Sequence, residues 1–105
     1  MNSQINPGAD ADLIERFLEM LAAERGVARN TLLAYRSDLA AASEMLAGKL
    51  AAASKDTLAI LTAGWSHLAN SSIARKAAAL RGFFGFLEEE GFRPDNPSAA
   101  LAPNP

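Results

Sequence analysis

"NSSIARKAAALRGFFGFLEEEG", Asn70 to Gly91, is the stretch on which the fold turns. Ile73, Ala77, Leu80, Phe84 and Leu87 recur every three or four residues, which lines one face of an α-helix, and Phe83 widens the row. Asn70 or Ser71 is a competent N-cap, and Gly91 suits the left-handed residue that stops such a helix. Gly82 and Gly85 sit inside the pattern, where each costs about 1 kcal/mol relative to alanine. Their small size points to the close approach of another helix.

The segments upstream carry the same period. Leu13, Ile14, Phe17, Leu18 and Leu21 predict a first helix over 12–25, with Asp12 and Glu15 spaced as a capping box and Gly26 as its end. Leu32, Tyr35, Leu39 and Leu46 predict a second over 30–47, capped by Asn30 or Thr31 and stopping near Gly48. Leu58, Leu61, Trp65 and Leu68 predict a third over 55–68 after Ser54, although Gly64 interrupts it. The fourth helix then covers 71–90.

A chain of 105 residues, 50% hydrophobic and 21% charged, is one globular domain with a core of its own. Its Ala-Leu-Glu-Arg bias makes the expected fold all-α, a four-helix bundle. The expected boundaries are a flexible N-terminus over 1–11, the helical domain over 12–92 and a linker over 93–105. Pro94, Pro97, Pro103 and Pro105 forbid a long helix in that last segment. A proline-rich connector leads onward, so further chemistry is expected downstream of it.

Several function classes are excluded by what the chain lacks. With no cysteine and one histidine, His67, there is no thiol nucleophile and no thiolate or imidazole-rich metal site. His67 has no serine or acid tied to it by a motif, and reads as a histidine near a loop. Glu88, Glu89 and Glu90 are consecutive, so on a helix they diverge instead of converging on a cation. No phosphate loop or zinc spacing is present, and no cofactor is expected. No apolar run approaches the roughly 20 residues of a membrane span, and "MNSQINPGADAD" lacks the order of a signal peptide. The expected location is the cytoplasm, with no membrane partner.

The net charge of -2 hides an uneven distribution. Five acids stand against Arg16 alone between Asp10 and Glu24, leaving that segment four charges negative. By contrast, 25–37 holds Arg25, Arg29 and Arg36 with no acid, and 71–87 holds Arg75, Lys76 and Arg81 with no acid. A helix start offers free backbone N–H groups and a positive dipole end, the ingredients for gripping a phosphate. Ser71, Ser72, Arg75 and Lys76 gather at the start of the fourth helix, and Arg29, Asn30, Thr31 and Arg36 at the start of the second. Each residue also has an ordinary reading, the hydroxyls as caps and the guanidiniums as solvated surface charge. From the residues alone, a DNA clamp and a helical protein-interaction module both stand.

The order of these segments resembles the N-terminal core-binding domain of the tyrosine recombinase and phage integrase family, in its Xer-like branch. "LIERFLEML" (Leu13 to Leu21) is followed by "NTLLAYRSDL" (Asn30 to Leu39), in which Thr31, Leu32, Tyr35, Asp38 and Leu39 match the pattern T-L-x-x-Y-x-x-D-L. "SSIARKAAALRGFFGFLEEEG" (Ser71 to Gly91) and then "DNPSAAL" (Asp95 to Leu101), with its Asn96-Pro97 pair, complete the match.

The resemblance implies a SAM-like orthogonal bundle that clamps double-stranded DNA together with a C-terminal catalytic domain, with helices two and four facing the recombination site. Thr31, Arg36, Ser71, Ser72, Arg75 and Lys76 become the expected DNA contacts, Arg75 at a base edge and the hydroxyls at phosphates. Arg29, Asn30 and Arg81 form a second tier. The acidic first helix then faces away from DNA, toward other recombinase protomers, since family members act as tetramers. The family's catalytic tyrosine lies outside this domain, so Tyr35 is a packing residue and the isolated domain is a DNA-binding monomer that cuts nothing. Chromosome dimer resolution, phage integration and cassette mobility all remain open for the parent, as does a free-standing inhibitor that lacks the catalytic half.

Overall fold

The computed structural model describes residues 9–99 and Leu101, and these form four helices and no strand: α1 (Asp10–Arg25), α2 (Arg29–Met45), α3 (Lys55–Ala63) and α4 (Asn70–Glu89). α1 packs along both α2 and α4, and α2 along α4. None of these helices is long and apolar enough to cross a membrane.

The predicted bundle forms, but several of its ends move. α1 starts at Asp10, and Ala9 precedes it with no side-chain cap, so the expected capping box of Asp12 and Glu15 is absent. Asp12 instead pairs with Arg16 at 2.9 Å, and Glu15 reaches across to α2. The cause is Asp10. Its buried carboxylate accepts hydrogen bonds from Ser43 Oγ, from Leu50 N at 2.8 Å and from Ala51 N at 2.9 Å, which pins the start of α1 to the turn after α2.

Asn30, Thr31, Asn70 and Ser71 are not caps either. α2 follows Ala28 and α4 follows Ala69, both extended and both without a side-chain cap, so these polar residues lie inside the first turns. Ser54 does cap α3, accepting from Thr57 N at 3.1 Å. α3 ends at Ala63 instead of 68, because at Gly64 the chain tightens into i→i+3 turns through Leu68. Trp65 still packs against the core from there.

Gly26 and Gly91 end α1 and α4 with φ of 59° and 80°, as their positions predict. At the end of α2 the left-handed residue is Ala47 (φ 56°), one position before Gly48. Ala47 N bonds Glu44 O at 3.1 Å and Gly48 N bonds Ser43 O at 2.8 Å, a Schellman closure with a Cβ in the wrong place. Ala47→Gly is therefore expected to raise stability by up to about 1 kcal/mol, read as a higher urea midpoint at unchanged slope.

The core joins Leu13, Phe17 and Leu21 of α1 to Leu39 of α2, Leu58 and Leu61 of α3, and Leu80, Phe83, Phe84 and Leu87 of α4. Phe17 lies at its centre, 1% exposed, with ring centroids 5.9 Å from Phe83 and 5.8 Å from Phe86. A Cβ on Gly82 would sit 2.9 Å from Phe17 Cζ, so this glycine is what lets α4 close on α1. Gly85 has no such role, since a Cβ there would meet Asn96 at an ordinary 3.8 Å.

The described part of the expected linker folds back on the bundle. Arg93 donates to Ala51 O at 2.8 Å, stacks over Phe84 at 5.3 Å from the ring centroid and pairs with Asp95 at 2.8 Å. That ion pair's hydrogen bond from Arg93 holds the Asp95 carboxyl below its ordinary pKa. Ser98 is fully buried, its N–H and hydroxyl both donating to Asn96 Oδ1. The packed domain thus extends from Asp10, inside the expected flexible N-terminus, to at least Ser98. Residues 1–8, 100 and 102–105 of the expected terminus and linker lie outside the described residues.

Candidate nucleic-acid interface

Seven residues of helix bring a side chain back to nearly the same face, so Thr31 and Asp38 share one edge of α2. That edge meets α4. Asp38 is buried there, its side chain 4% exposed, and both its oxygens are taken by α4 cations. Arg75 Nε and Nη2 each donate at 2.8 Å, and Lys76 Nζ donates at 3.1 Å. Burial pushes the Asp38 carboxyl up, but the hydrogen bonds and charges of Arg75 and Lys76 outweigh it and hold the pKa below the ordinary value. The same carboxylate raises the pKa of Arg75.

This shift has a pH consequence. A carboxyl whose folded pKa is depressed contributes stability above its unfolded value of about 3.9 and loses it as pH falls through the lower folded value. Thermal unfolding followed from pH 7 to pH 2 is expected to show a midpoint that drops in the acid limb. In Asp38→Asn the midpoint is lower at pH 7 and that drop is shallower.

The expected contacts of α4 gather around this ion cluster. Ser71 precedes Arg75, and Ser72 precedes Lys76, by one helical turn; Ser71 is exposed and Ser72 half-buried. Thr31, Arg29 and Asn30 are exposed in the first turn of α2. Because neither Ala28 nor Ala69 caps its helix, the first N–H groups of α2 and α4 have no side-chain acceptor. Arg75 keeps a side chain 44% exposed above the buried carboxylate.

Two of the expected contacts are placed elsewhere. Arg36 stands about 200° around α2 from Asp38, on the side of α1, where Nε and Nη2 both bond the Glu15 carboxylate at 2.8 Å. That bidentate hydrogen bond lowers the pKa of Glu15 and raises that of Arg36. Arg81 lies on another face of α4 and donates to the carbonyl of Leu101 at 3.0 Å. It borders an open cleft of about 250 Å³, shared with Met20 and Glu88, toward the far end of the helix. His67 and Glu88 to Glu90 are exposed, and no group of three or more His, Cys, Asp or Glu able to hold a metal occurs among the described residues.

Residues 14–91 match the family model of the phage integrase N-terminal SAM-like domain. The chain belongs to this family. Among curated relatives of this SAM-like domain, the tyrosine recombinase XerC of Erythrobacter litoralis (strain HTCC2594) is 60% identical over 88 residues, covering 84% of this chain and 28% of that protein. The tyrosine recombinase XerD of Brucella abortus biovar 1 (strain 9-941) is 50% identical over 93 residues, covering 84% and 30%. XerD of Agrobacterium fabrum (strain C58 / ATCC 33970) is 38% identical over 106 residues, covering 96% and 32%. The chain spans under a third of the length of these relatives. No solved structure matches it.

Within the SAM-like domain, Asp38 is the residue at the centre of this ion cluster that the candidate contacts did not include. In the sequence it is one letter of the T-L-x-x-Y-x-x-D-L pattern. The usable signal was an acid beside the core residue Leu39 and three positions after Tyr35, on the inward side of its helix, where a carboxylate requires cationic partners.

Proposed function

We propose that this chain is the DNA-binding N-terminal domain of a tyrosine recombinase, and that it meets a duplex with the N-terminal turns of α2 and α4. One observation carries the reading: a buried carboxylate in the middle of α2 organises Arg75 and Lys76 near the start of α4, a helix start that no side chain caps. Such starts donate to phosphate oxygens through backbone N–H groups, favoured by the helix dipole. Thr31, Ser71 and Ser72 add hydroxyl donors, Lys76 adds charge, and Arg75 reaches a base edge in the major groove. Arg29 and Asn30 flank the contact. Arg36 and Arg81, engaged with Glu15 and Leu101, stand outside it.

Double-stranded DNA and further protomers of the recombinase are the partners on this reading. α1 exposes Asp12, Glu15, Glu19 and Glu24, a surface that repels phosphates and belongs away from the duplex. The relatives named above are recombinases, so cleavage and rejoining are assigned to the part of their length that this chain does not span. Tyr35 is half-buried against the core and is given no catalytic role.

The test is fluorescence anisotropy of the chain with a labelled 30-bp duplex across a salt series. Half a clamp is expected to bind at about 10⁻⁴ to 10⁻⁶ M at physiological salt, weakening linearly on a log–log plot as salt rises. Arg75→Ala is expected to weaken binding roughly tenfold. Binding that is absent or indifferent to salt would overturn the reading in favour of a protein-interaction module. That second reading draws on Ile60 and Met45, large apolar side chains 76% and 67% exposed.

A further inference from the structure

A guanidinium presents two forks, one formed by Nε with a neighbouring Nη and one formed by the two Nη groups. Asp38 takes the first fork of Arg75 completely, Nε to Oδ2 and Nη2 to Oδ1, both at 2.8 Å. The second fork, which uses Nη1 and the other hydrogen of Nη2, has no hydrogen-bond partner among the described residues. Because the carboxylate is buried between α2 and α4 while Arg75 is 44% exposed, the plane of the guanidinium is fixed from below and open above.

The charge of Asp38 makes its presence here informative. A patch that worked by field alone would hold phosphate more tightly without a carboxylate under its cations. What the carboxylate supplies is geometry: it removes in advance the rotamer freedom that a long side chain otherwise loses on binding. The exposed pair of Arg36 with Glu15 differs, since there both side chains are about half exposed and neither is anchored in the core.

We propose that Asp38 is a positioning residue for DNA recognition, holding Arg75 by one fork so that the other meets two adjacent acceptors on the duplex. The inference rests on the reading that Arg75 touches DNA. The acceptor pair is two oxygens of one phosphate, or O6 and N7 of guanine.

The experiment measures affinity of the 105-residue chain for labelled 24-bp duplexes of alternating G·C and of alternating A·T sequence, with the fold of every variant checked by far-UV circular dichroism. Asp38→Asn is expected to weaken binding roughly five- to tenfold although it makes the protein more positive, and to have no further effect in an Arg75→Ala background. Arg75→Lys keeps the charge but not the fork, and is expected to lose nearly as much as Arg75→Ala. A loss confined to G·C duplexes marks the guanine edge, and an equal loss on both marks a phosphate. Asp38→Asn binding as tightly as the parent or tighter, or Arg75→Lys retaining parental affinity, would overturn the positioning role while Arg75→Ala still shows the contact. An Arg75→Ala variant with undiminished affinity would overturn the contact itself and the positioning role with it. If Asp38→Asn fails to fold, Arg75→Lys decides.

Discussion

Phe17→Ala is expected to destabilise the domain by about 3–5 kcal/mol. The ring is 1% exposed and is held by Phe83 edge-on, by Phe86 and by the bare backbone of Gly82. Truncation removes the transfer energy of the ring and leaves a hole. The hole is slow to close because its far wall is helix backbone, which offers no side chain at Gly82 to swing inward. Domains of this size have about 5–15 kcal/mol in total, so much of the stability goes. Urea unfolding followed by circular dichroism measures it; a loss below about 1 kcal/mol would show that α4 does not close on α1 through this ring.

Asp10→Ala is the second large effect, expected at about 2–4 kcal/mol, because it leaves the buried N–H groups of Leu50 and Ala51 without acceptors. Ser43 loses its partner as well. Asp10→Asn is nearly as harmful, since an amide accepts through only one oxygen and turns its NH₂ toward a donor. The same unfolding assay reads both variants. If Asp10→Asn matches the parent, the carboxylate is not the tie between α1 and the turn after α2.

These two residues also mark what a sequence can and cannot disclose. Phe17 was readable because its neighbours Leu13, Ile14 and Leu21 repeat at helical spacing, a local signal. Gly26, Gly91 and Ser54 were readable for the same reason, each acting within a turn of where it stands. Asp10 was not, because its partners lie 33 to 41 positions away and no periodicity reports them. Its hold on that turn also displaced the start of α1 and with it the capping box read from Asp12 and Glu15.

The candidate site divides along the same line. Ser71, Ser72, Arg75 and Lys76 fall together because they share two turns of one helix. Thr31 shares a helical edge with Asp38, seven residues away, and is exposed in the first turn of α2. Arg36 had the right charge in the right segment, but its bearing around α2 points it to Glu15 on α1. That bearing depends on how the helices pack. The roles of Asn30, Thr31, Asn70 and Ser71 shifted for a subtler reason: alanines at 28 and 69 take the extended cap conformation, which moves each polar side chain into the first turn.

Duplex DNA is expected to meet the starts of α2 and α4 and not the acidic face of α1. Backbone amide chemical shifts of the ¹⁵N-labelled chain, titrated with a 24-bp duplex at low salt, test it most directly. Perturbations are expected to gather at residues 29–31 and 70–76, to be reversed by added salt and to be diminished in Arg75→Ala. Perturbations centred on Asp12, Glu15 and Glu19, or none at any duplex concentration, would contradict it.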